Sequence, residues 1–536
     1  MSLETRPRLR NRGQAGDERG PGAVAGAAIG IVTTAFALSA GQLVASFVTP
    51  ASSPLLAVAA AAIDGAPESL KSFAIRTFGG TDKAALMVGI VAVLALLSAV
   101  IGVLAIRRPE LGYASIGAVG GVGAASALLR PGASPGWVLP SAAAVVAGAA
   151  AFRTLLGRAK QAGAPAEAPL ARTRRPGTAP KGFDRRAFLN ASLALSAAAA
   201  AGEGAALLTT RRAAAVASRT AVRVPVPSSR ARRLPAGAEL DVPGLSSFFT
   251  PDDEFYRVDT ALFVPQLRVE DWRLRIHGLV ERPMEIDFRG LLSRPLIERD
   301  ITLNCVSNEV GGPYVGNARW IGAPLKALLD EAGVRRGATQ ILSRSSDGMT
   351  IGTPTATALD GRDAMLAIAM NGQPLPFEHG FPVRMLVPGL YGYESATKWL
   401  VDIELTSLAA DDAYWVQRGW AQVAPIKTAS RIDTPQRNAR VARGVVVVAG
   451  VAWAQHRGIR RVEVSVDDGP WFQVTLAAED SIDTWRQWTW SWQATPGEHV
   501  LRVRATDGAG EVQTGSAAPP FPSGATGWDE ATITVV

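Results

Sequence analysis

Cysteine and histidine are scarce in this 536-residue chain: there is one cysteine, Cys305, and four histidines, His277, His379, His456 and His499. A single thiol closes no disulfide within the chain, and no Cys-x-x-Cys-His is present to attach haem covalently. All four histidines follow residue 276, so none stands in the apolar first part to hold a bis-histidine haem there. Zinc-finger spacings and RNA-recognition motifs are also missing, and the net charge of +8 lies largely in segments that flank apolar runs, which speaks for membrane topology rather than nucleic acid. Tryptophan is nearly absent before residue 240, where Trp137 is the only one of 13; the rest begin at Trp272. Two physical environments follow from that split.

Residues 1–21 are polar and rich in arginine and read as a cytoplasmic tail. Apolar runs at 22–48, 84–106, 111–129 and 136–156 each approach the ~20 residues that a helix needs to cross a bilayer. The run at 54–63 is shorter and leads into Asp64, Glu68 and Lys71, so it predicts an interfacial helix in a loop. Alternating spans bring the N-terminal arginines, Arg107-Arg108 and the cluster from Arg153 to Lys181 to one side, the cytoplasm by the positive-inside rule. No proton relay is evident in the spans, which read as an anchor.

A fifth apolar run, 187–209, follows Asp184-Arg185-Arg186-Ala187-Phe188-Leu189. That hexapeptide resembles a twin-arginine export signal, here used as an uncleaved anchor. Five spans over 22–209 put everything beyond them on the extracytoplasmic side. The Arg-, Ala- and Pro-rich segment 210–245 has no lasting periodicity and predicts a flexible linker.

Residues 246–408 predict a mixed α+β domain. Strands are expected at Trp272–Val280, Ile301–Leu303, Gln340–Ser343 and Val383–Val387, and a helix at Leu325–Ala332, where Leu325, Leu328, Leu329 and Ala332 share one face. Prolines and glycines between these elements imply shaped loops, the usual carriers of a site. Cys305 lies in one of them, within Ile301-Thr-Leu-Asn-Cys-Val-Ser-Asn-Glu-Val-Gly-Gly312. By itself it has three uses: a buried small hydrophobe, a nucleophile, or a soft metal ligand.

Several ordered motifs surround it. They are Phe255-Tyr-Arg-Val-Asp259 with Pro265, Trp272-Arg-Leu-Arg-Ile-His-Gly278, Leu303-Asn-Cys-Val-Ser-Asn308, Ala318-Arg-Trp-Ile-Gly-Ala-Pro-Leu325, Met370-Asn-Gly-Gln-Pro-Leu-Pro376, His379-Gly-Phe-Pro-Val-Arg384 and Lys398-Trp-Leu400. Together they resemble the sulfite oxidase family of molybdenum enzymes, from about residue 250 to the C-terminus. The resemblance implies a molybdenum bound by one pterin dithiolene and by the Cys305 thiolate. It also implies cofactor contacts from Tyr256, Arg257, Asp259, His379, Arg384 and Lys398, with Arg257 orienting substrate and the segment Ser343–Asp347 nearby. Sulfite oxidases typically carry Asn-His after that arginine, where this chain has Val258 and Asp259. They commonly read Cys-Ala-Gly-Asn-Arg-Arg at the cysteine, where this chain places Glu309 and Val310, which weakens the electrostatic case for sulfite.

From Val441 onward short alternating runs recur at Gly444–Trp453, Ile459–Val466, Trp471–Thr475, Thr484–Trp492, His499–Thr506 and Ala531–Val535. They predict an antiparallel β-sandwich within 409–536, with Trp488, Trp490 and Trp492 packing its core or an interface. The resemblance makes it an immunoglobulin-like domain of the kind through which family members dimerise, and makes Arg418 and Lys427 in the connection second-rank substrate contacts. The combined expectation is a multi-pass protein of the cytoplasmic membrane catalysing two-electron oxygen-atom transfer on a small molecule. A separate cytochrome or quinone-linked carrier handles the electrons, and no haem is held by this chain. The competing expectation is a non-catalytic, membrane-anchored adhesion protein that binds through the β-sandwich.

Overall fold

The computed structural model describes residues 22–536 except 68–69, 71–72, 74–76, 78–81, 131–132, 164–209 and 262–263. Two compact units divide the chain at residues 209 and 210. In the first, helices α1 (Ala23–Val48), α2 (Pro54–Gly65), α3 (Asp82–Arg107), α4 (Pro109–Leu128) and α5 (Leu139–Gly163) pack together. Among the described residues four helices are long and apolar enough to cross a membrane, and α2, at 12 residues, is not. Glycines set the contact between α1 and α3. A Cβ on Gly30 would fall 1.8 Å from the Ser98 carbonyl oxygen and one on Gly102 would fall 2.2 Å from that of Gly26, so small residues bring the two backbones together. Outward faces keep Val88, Leu96, Val100 and Leu104 exposed, a surface that suits lipid better than water. The fifth apolar run and the arginine pair lie outside the described residues.

The second unit, Thr210–Val536, begins where a flexible linker was expected, and here the structure corrects the sequence reading. Residues Thr210–Ala221 form helix α6, whose Arg219 donates to the carbonyls of Leu375 and Pro374, both at 2.7 Å, and whose Ser218 bonds Glu270 at 3.0 Å. Farther along, Ser229 bridges to Ile297. Alanine supplies helix propensity and the hydroxyl and guanidinium groups find acceptors, so this stretch holds itself to the domain despite its lack of a long hydrophobic period.

Ten strands build the α+β part: β1 (Arg273–Gly278), β2 (Met284–Asp287), β3 (Ile297–Asn304), β4 (Val315–Pro324), β5 (Gln340–Ser345), β6 (Thr350–Pro354), β7 (Met365–Met370), β8 (Gln373–Pro374), β9 (Arg384–Leu386) and β10 (Leu400–Thr406). One sheet runs β2-β1-β10-β5-β6, with β1 parallel to β10. The other runs β3-β4-β7-β8, with β9 also on β7. Both share a core to which the helix Leu325–Ala332 contributes the four apolar residues expected of it.

Nine further strands follow: β11 (Ala429–Thr434), β12 (Arg440–Val441), β13 (Gly444–Trp453), β14 (Ile459–Val466), β15 (Phe472–Gln473), β16 (Thr475–Leu476), β17 (Arg486–Ala494), β18 (Gly497–Asp507) and β19 (Asp529–Val535). They form sheets β11-β13-β17-β16 and β12-β19-β18-β14-β15, joined by one apolar core, which makes a sandwich. Trp488 and Trp492 are buried in that core, and Trp490 stacks on Phe472 at its edge. The α+β part and the sandwich meet at Thr302, whose hydroxyl accepts from the Trp485 backbone at 2.7 Å and whose carbonyl accepts from Gln455 at 3.0 Å.

Candidate active site

Strand β3 carries the chain inward and ends at Asn304, paired with Val315 across the ladder. Just beyond, the Cys305 amide donates to the Tyr314 carbonyl at 3.0 Å, the Asn308 amide donates back to the Cys305 carbonyl at 3.1 Å, and the Asn308 side chain accepts from the Tyr314 amide. This tight loop fixes the thiol, 9 % exposed, with Sγ 2.9 Å from the Ser307 hydroxyl. Burial pushes the thiol pKa up, against smaller pulls downward from Ser307 and Lys398. A buried thiol of this kind is a weak nucleophile until a cation binds it and favours the thiolate.

Around it stand the other residues singled out in the sequence. Tyr256 and Arg384 interact electrostatically, and the phenol is pushed up by burial and then by Cys305. Arg384 is buried beneath Trp320, with Cζ 5.2 Å from the ring centroid; it donates to the His379 carbonyl at 3.2 Å, while its Nε has no partner among the described residues. Burial pulls this guanidinium down to about 10. His379 is buried, bonds the Asp252 carbonyl through Nε2 at 2.8 Å, and is held down to about 4 by burial and by Arg384, Lys398 and Arg257. Lys398 is pulled down to about 8 by burial, which outweighs its ion pair with Asp259. Gly380, at φ +110, makes the turn that brings His379 past Arg384 and Lys398: a Cβ there would lie 3.1 Å from both side chains.

Asp259 accepts from Arg257 at 2.8 Å and from Lys398 at 2.7 Å, so its carboxylate joins the two cations. With His379 neutral, three cations (Arg257, Arg384 and Lys398) face one carboxylate. The cradle is therefore cationic in sum, and the unpartnered Nε of Arg384 offers it a spare donor. This donor set fits the phosphate of a pterin cofactor. Among the described residues no three His, Cys, Asp or Glu side chains cluster as a metal site. A metal held by Cys305 would need its remaining ligands from a cofactor, as a dithiolene would provide.

Segment Ser343–Asp347 adjoins this cradle: Ser343 bonds the Thr397 hydroxyl at 2.5 Å, and the Ser346 amide donates to the Trp399 carbonyl. Arg418 and Lys427 separate. Lys427 lines a cleft of about 390 Å³ between the α+β part and the sandwich, together with Asn304, Asn308, Glu309 and Val310, whereas Arg418 packs its guanidinium over the Tyr414 ring and is not among the lining residues. Sequence reading passed over Tyr391, which lines the same cleft and interacts electrostatically with Cys305, and Glu394, which burial pushes up to about 8. The run Tyr391-Gly-Tyr-Glu394, shortly before Lys398, was the available signal.

Part of this chain resembles known proteins. A family described as "Oxidoreductase molybdopterin binding domain" matches residues 261–415. The mitochondrial sulfite oxidase of Drosophila melanogaster is 30 % identical over 321 residues, covering 50 % of this chain and 55 % of that protein. An NADH nitrate reductase of Solanum lycopersicum is 28 % identical over 309 residues, covering 46 % of this chain and 34 % of its own. Among solved structures, the sulfane dehydrogenase SoxCD of Paracoccus pantotrophus aligns at 25 % identity and a TM-score of 0.45, over 51 % of this chain and 79 % of that one. Fold, cysteine loop and cradle define a molybdopterin oxidoreductase domain. Within that class the chain is similar to sulfite oxidases, and it spans only about half the length of the fly relative.

Proposed function

We propose that this chain is a membrane-anchored oxidoreductase that carries molybdenum with one pterin at Cys305 and transfers an oxygen atom in a two-electron reaction on a small molecule. One observation carries the reading: the sole cysteine is buried beside a cationic cradle whose deepest member, Arg384, has a donor to spare. When bound, the group supplies a two-electron metal centre and a transferable oxygen. The chain's own residues do the rest. Cys305 gives a thiolate; Arg384, Lys398 and Arg257 bind the anionic end of the pterin; His379, neutral at physiological pH, hydrogen-bonds its heterocycle; Tyr256 closes the space between thiol and cradle.

The four apolar helices support anchoring, and the basic loops together with the fifth apolar run support an extracytoplasmic position for the second unit. A separate cytochrome or quinone-linked carrier takes up or delivers the electrons. The sandwich, read as immunoglobulin-like, offers a surface for a homodimer.

Full-length protein from a host that makes the cofactor is expected to contain about one molybdenum and one pterin per chain. Their absence would sink the enzyme reading. Cys305→Ser is expected to fold with little change in melting temperature and to lose dye-linked activity.

A further inference from the structure

A cavity of about 120 Å³ lies inside the first unit, bounded by α1, α3, α4 and α5 together with Pro54 of α2. Among the described residues that line it none is charged, and Leu38, Ile101 and Phe152 give it apolar walls. Tight helix contacts frame it: a Cβ on Gly112 would fall 2.2 Å from Phe152 Cζ, and one on Gly120 would fall 2.1 Å from Val145 Cγ2. Close packing therefore encloses the space, which is not slack between loosely fitted helices. Leu97 and Val119, which also line it, are exposed on α3 and α4, so the cavity reaches the outward surface that suits lipid.

Hydroxyl groups interrupt the apolar wall. Thr33, 3 % exposed, lines the cavity with a buried Oγ1 that has no hydrogen-bond partner among the described residues. Other hydroxyls of this unit donate to a carbonyl of the preceding turn: Ser39 to Ala35 at 2.9 Å, Ser115 to Gly112 at 2.8 Å and Thr154 to Ala150 at 2.8 Å. Thr33 forgoes that bond, and an unpaired hydroxyl in so apolar a setting is costly unless something supplies an acceptor. Thr34 and Ser98, which line the cavity too, pair their hydroxyls at 2.7 Å. In such a pair one hydroxyl donates to the other, which keeps its own proton for a further acceptor. Two O–H donors thus border a space that is otherwise apolar and uncharged.

We infer that this cavity is a binding site for a quinone, whose ring is neutral with apolar faces and whose two carbonyl oxygens are acceptors. The volume suits a single ring, since a cavity of about 150 Å³ holds one benzene. The opening beside Leu97 and Val119 leaves room for ring substituents and lets the tail run out into lipid. The Thr33 hydroxyl and the free proton of the Thr34–Ser98 pair donate to the carbonyls. Other occupants of a bilayer fit less well: a phospholipid headgroup is charged and finds no counter-charge here, and an acyl chain leaves the hydroxyls unpaired. The site does not depend on molybdenum at Cys305; where that reading holds, it gives the quinone-linked electron carrier a place on this chain.

The test uses the full-length protein in phosphatidylcholine nanodiscs, titrated with decylubiquinone, a benzoquinone with a short alkyl tail. Binding above that of protein-free nanodiscs is expected to saturate at a single site. Thr33→Val keeps the side-chain shape and removes the donor. It is expected to weaken quinone binding by roughly fivefold, as the loss of one neutral hydrogen bond would, while thermal stability without quinone holds or rises. Ala37→Leu adds volume inside the cavity and is expected to weaken binding by about tenfold or more. Decylbenzene, which has a ring and tail but no carbonyls, is expected to bind weakly and to be indifferent to Thr33→Val. Uptake that never saturates would overturn the inference, as would quinone binding that Thr33→Val leaves unchanged. Decylbenzene held as tightly as the quinone would also overturn it, because the cavity would then be a slot for lipid tails. So would a fall in stability of Thr33→Val without quinone, which would mean that the hydroxyl is paired within the protein. Protein lacking molybdenum and pterin would overturn the function proposed above and leave this binding as it is.

Discussion

Lys398 Nζ lies 2.7 Å from Asp259 Oδ2, with 10 % of the lysine side chain and 2 % of the aspartate side chain exposed. The pair is therefore buried, and removing one partner costs more than the pair contributes, because it strands the other charge. Asp259→Asn is expected to destabilise the domain by about 3 kcal/mol in urea unfolding near neutral pH. Lys398 is already pulled down to about 8, so the cost should shrink above that pH as the lysine sheds its proton. Adding Lys398→Met to Asp259→Asn should recover most of the loss; a double variant no better than the single one would contradict the stranded-charge account.

Arg384 has a different task. Its guanidinium reaches the His379 carbonyl, covers Trp320 and leaves Nε unbonded, a planar fork that a lysine cannot reproduce. Arg384→Lys keeps the charge and is expected to weaken pterin retention by roughly thirtyfold, or about 2 kcal/mol, the scale of a hydrogen bond to a charged group. Pterin fluorescence after gel filtration measures it, with circular dichroism to check the fold. Full retention would mean that Arg384 serves only the packing around Trp320.

His379 makes the cradle sensitive to acid. Its folded pKa of about 4 lies below the ordinary 6.5, so the fold disfavours the proton. The corresponding stability is fully present above about 6.5 and is lost as pH falls through about 4, a total of about 3 kcal/mol. Replacing the ring with a group that does not titrate, as in His379→Gln, is expected to flatten this acid limb in urea titrations. If the limb persists unchanged, other groups cause it.

Much of this was legible in the sequence, for identifiable reasons. Helix Leu325–Ala332 and strands β13 and β14 have the residue bounds that period and turn residues predict, since the helix is a local amphipathic pattern, β14 alternates, and β13 is a valine-rich run that opens on a glycine. The cysteine and its cradle were legible as types and order, not as geometry. That Asp259 joins Lys398 to Arg257, 139 and 2 residues away, depends on a turn at Gly380 that no local pattern shows. Strand β11 was missed because its partner β13, not its own alternation, makes it a strand. Residues 210–221 were misread because short hydrogen bonds to carbonyls, rather than a hydrophobic period, hold that helix in place.

Glu394 is the buried acid for which sequence offered least warning. One carboxyl oxygen accepts from the Ala424 amide at 2.7 Å, the other has no partner among the described residues, and burial pushes the group up to about 8. A raised folded pKa contributes stability that is fully present below the ordinary 4.5 and is lost as pH rises through about 8. Glu394→Gln keeps an acceptor for Ala424 and has no proton to lose. Its stability relative to wild type is expected to climb by a few kcal/mol between pH 4.5 and 8 and then to level off. Urea unfolding of both proteins across that range checks the slope. A difference that stays constant with pH would mean that Glu394 is already ionised in the fold, and its free oxygen would then need a cation or a donor that enters from outside the chain.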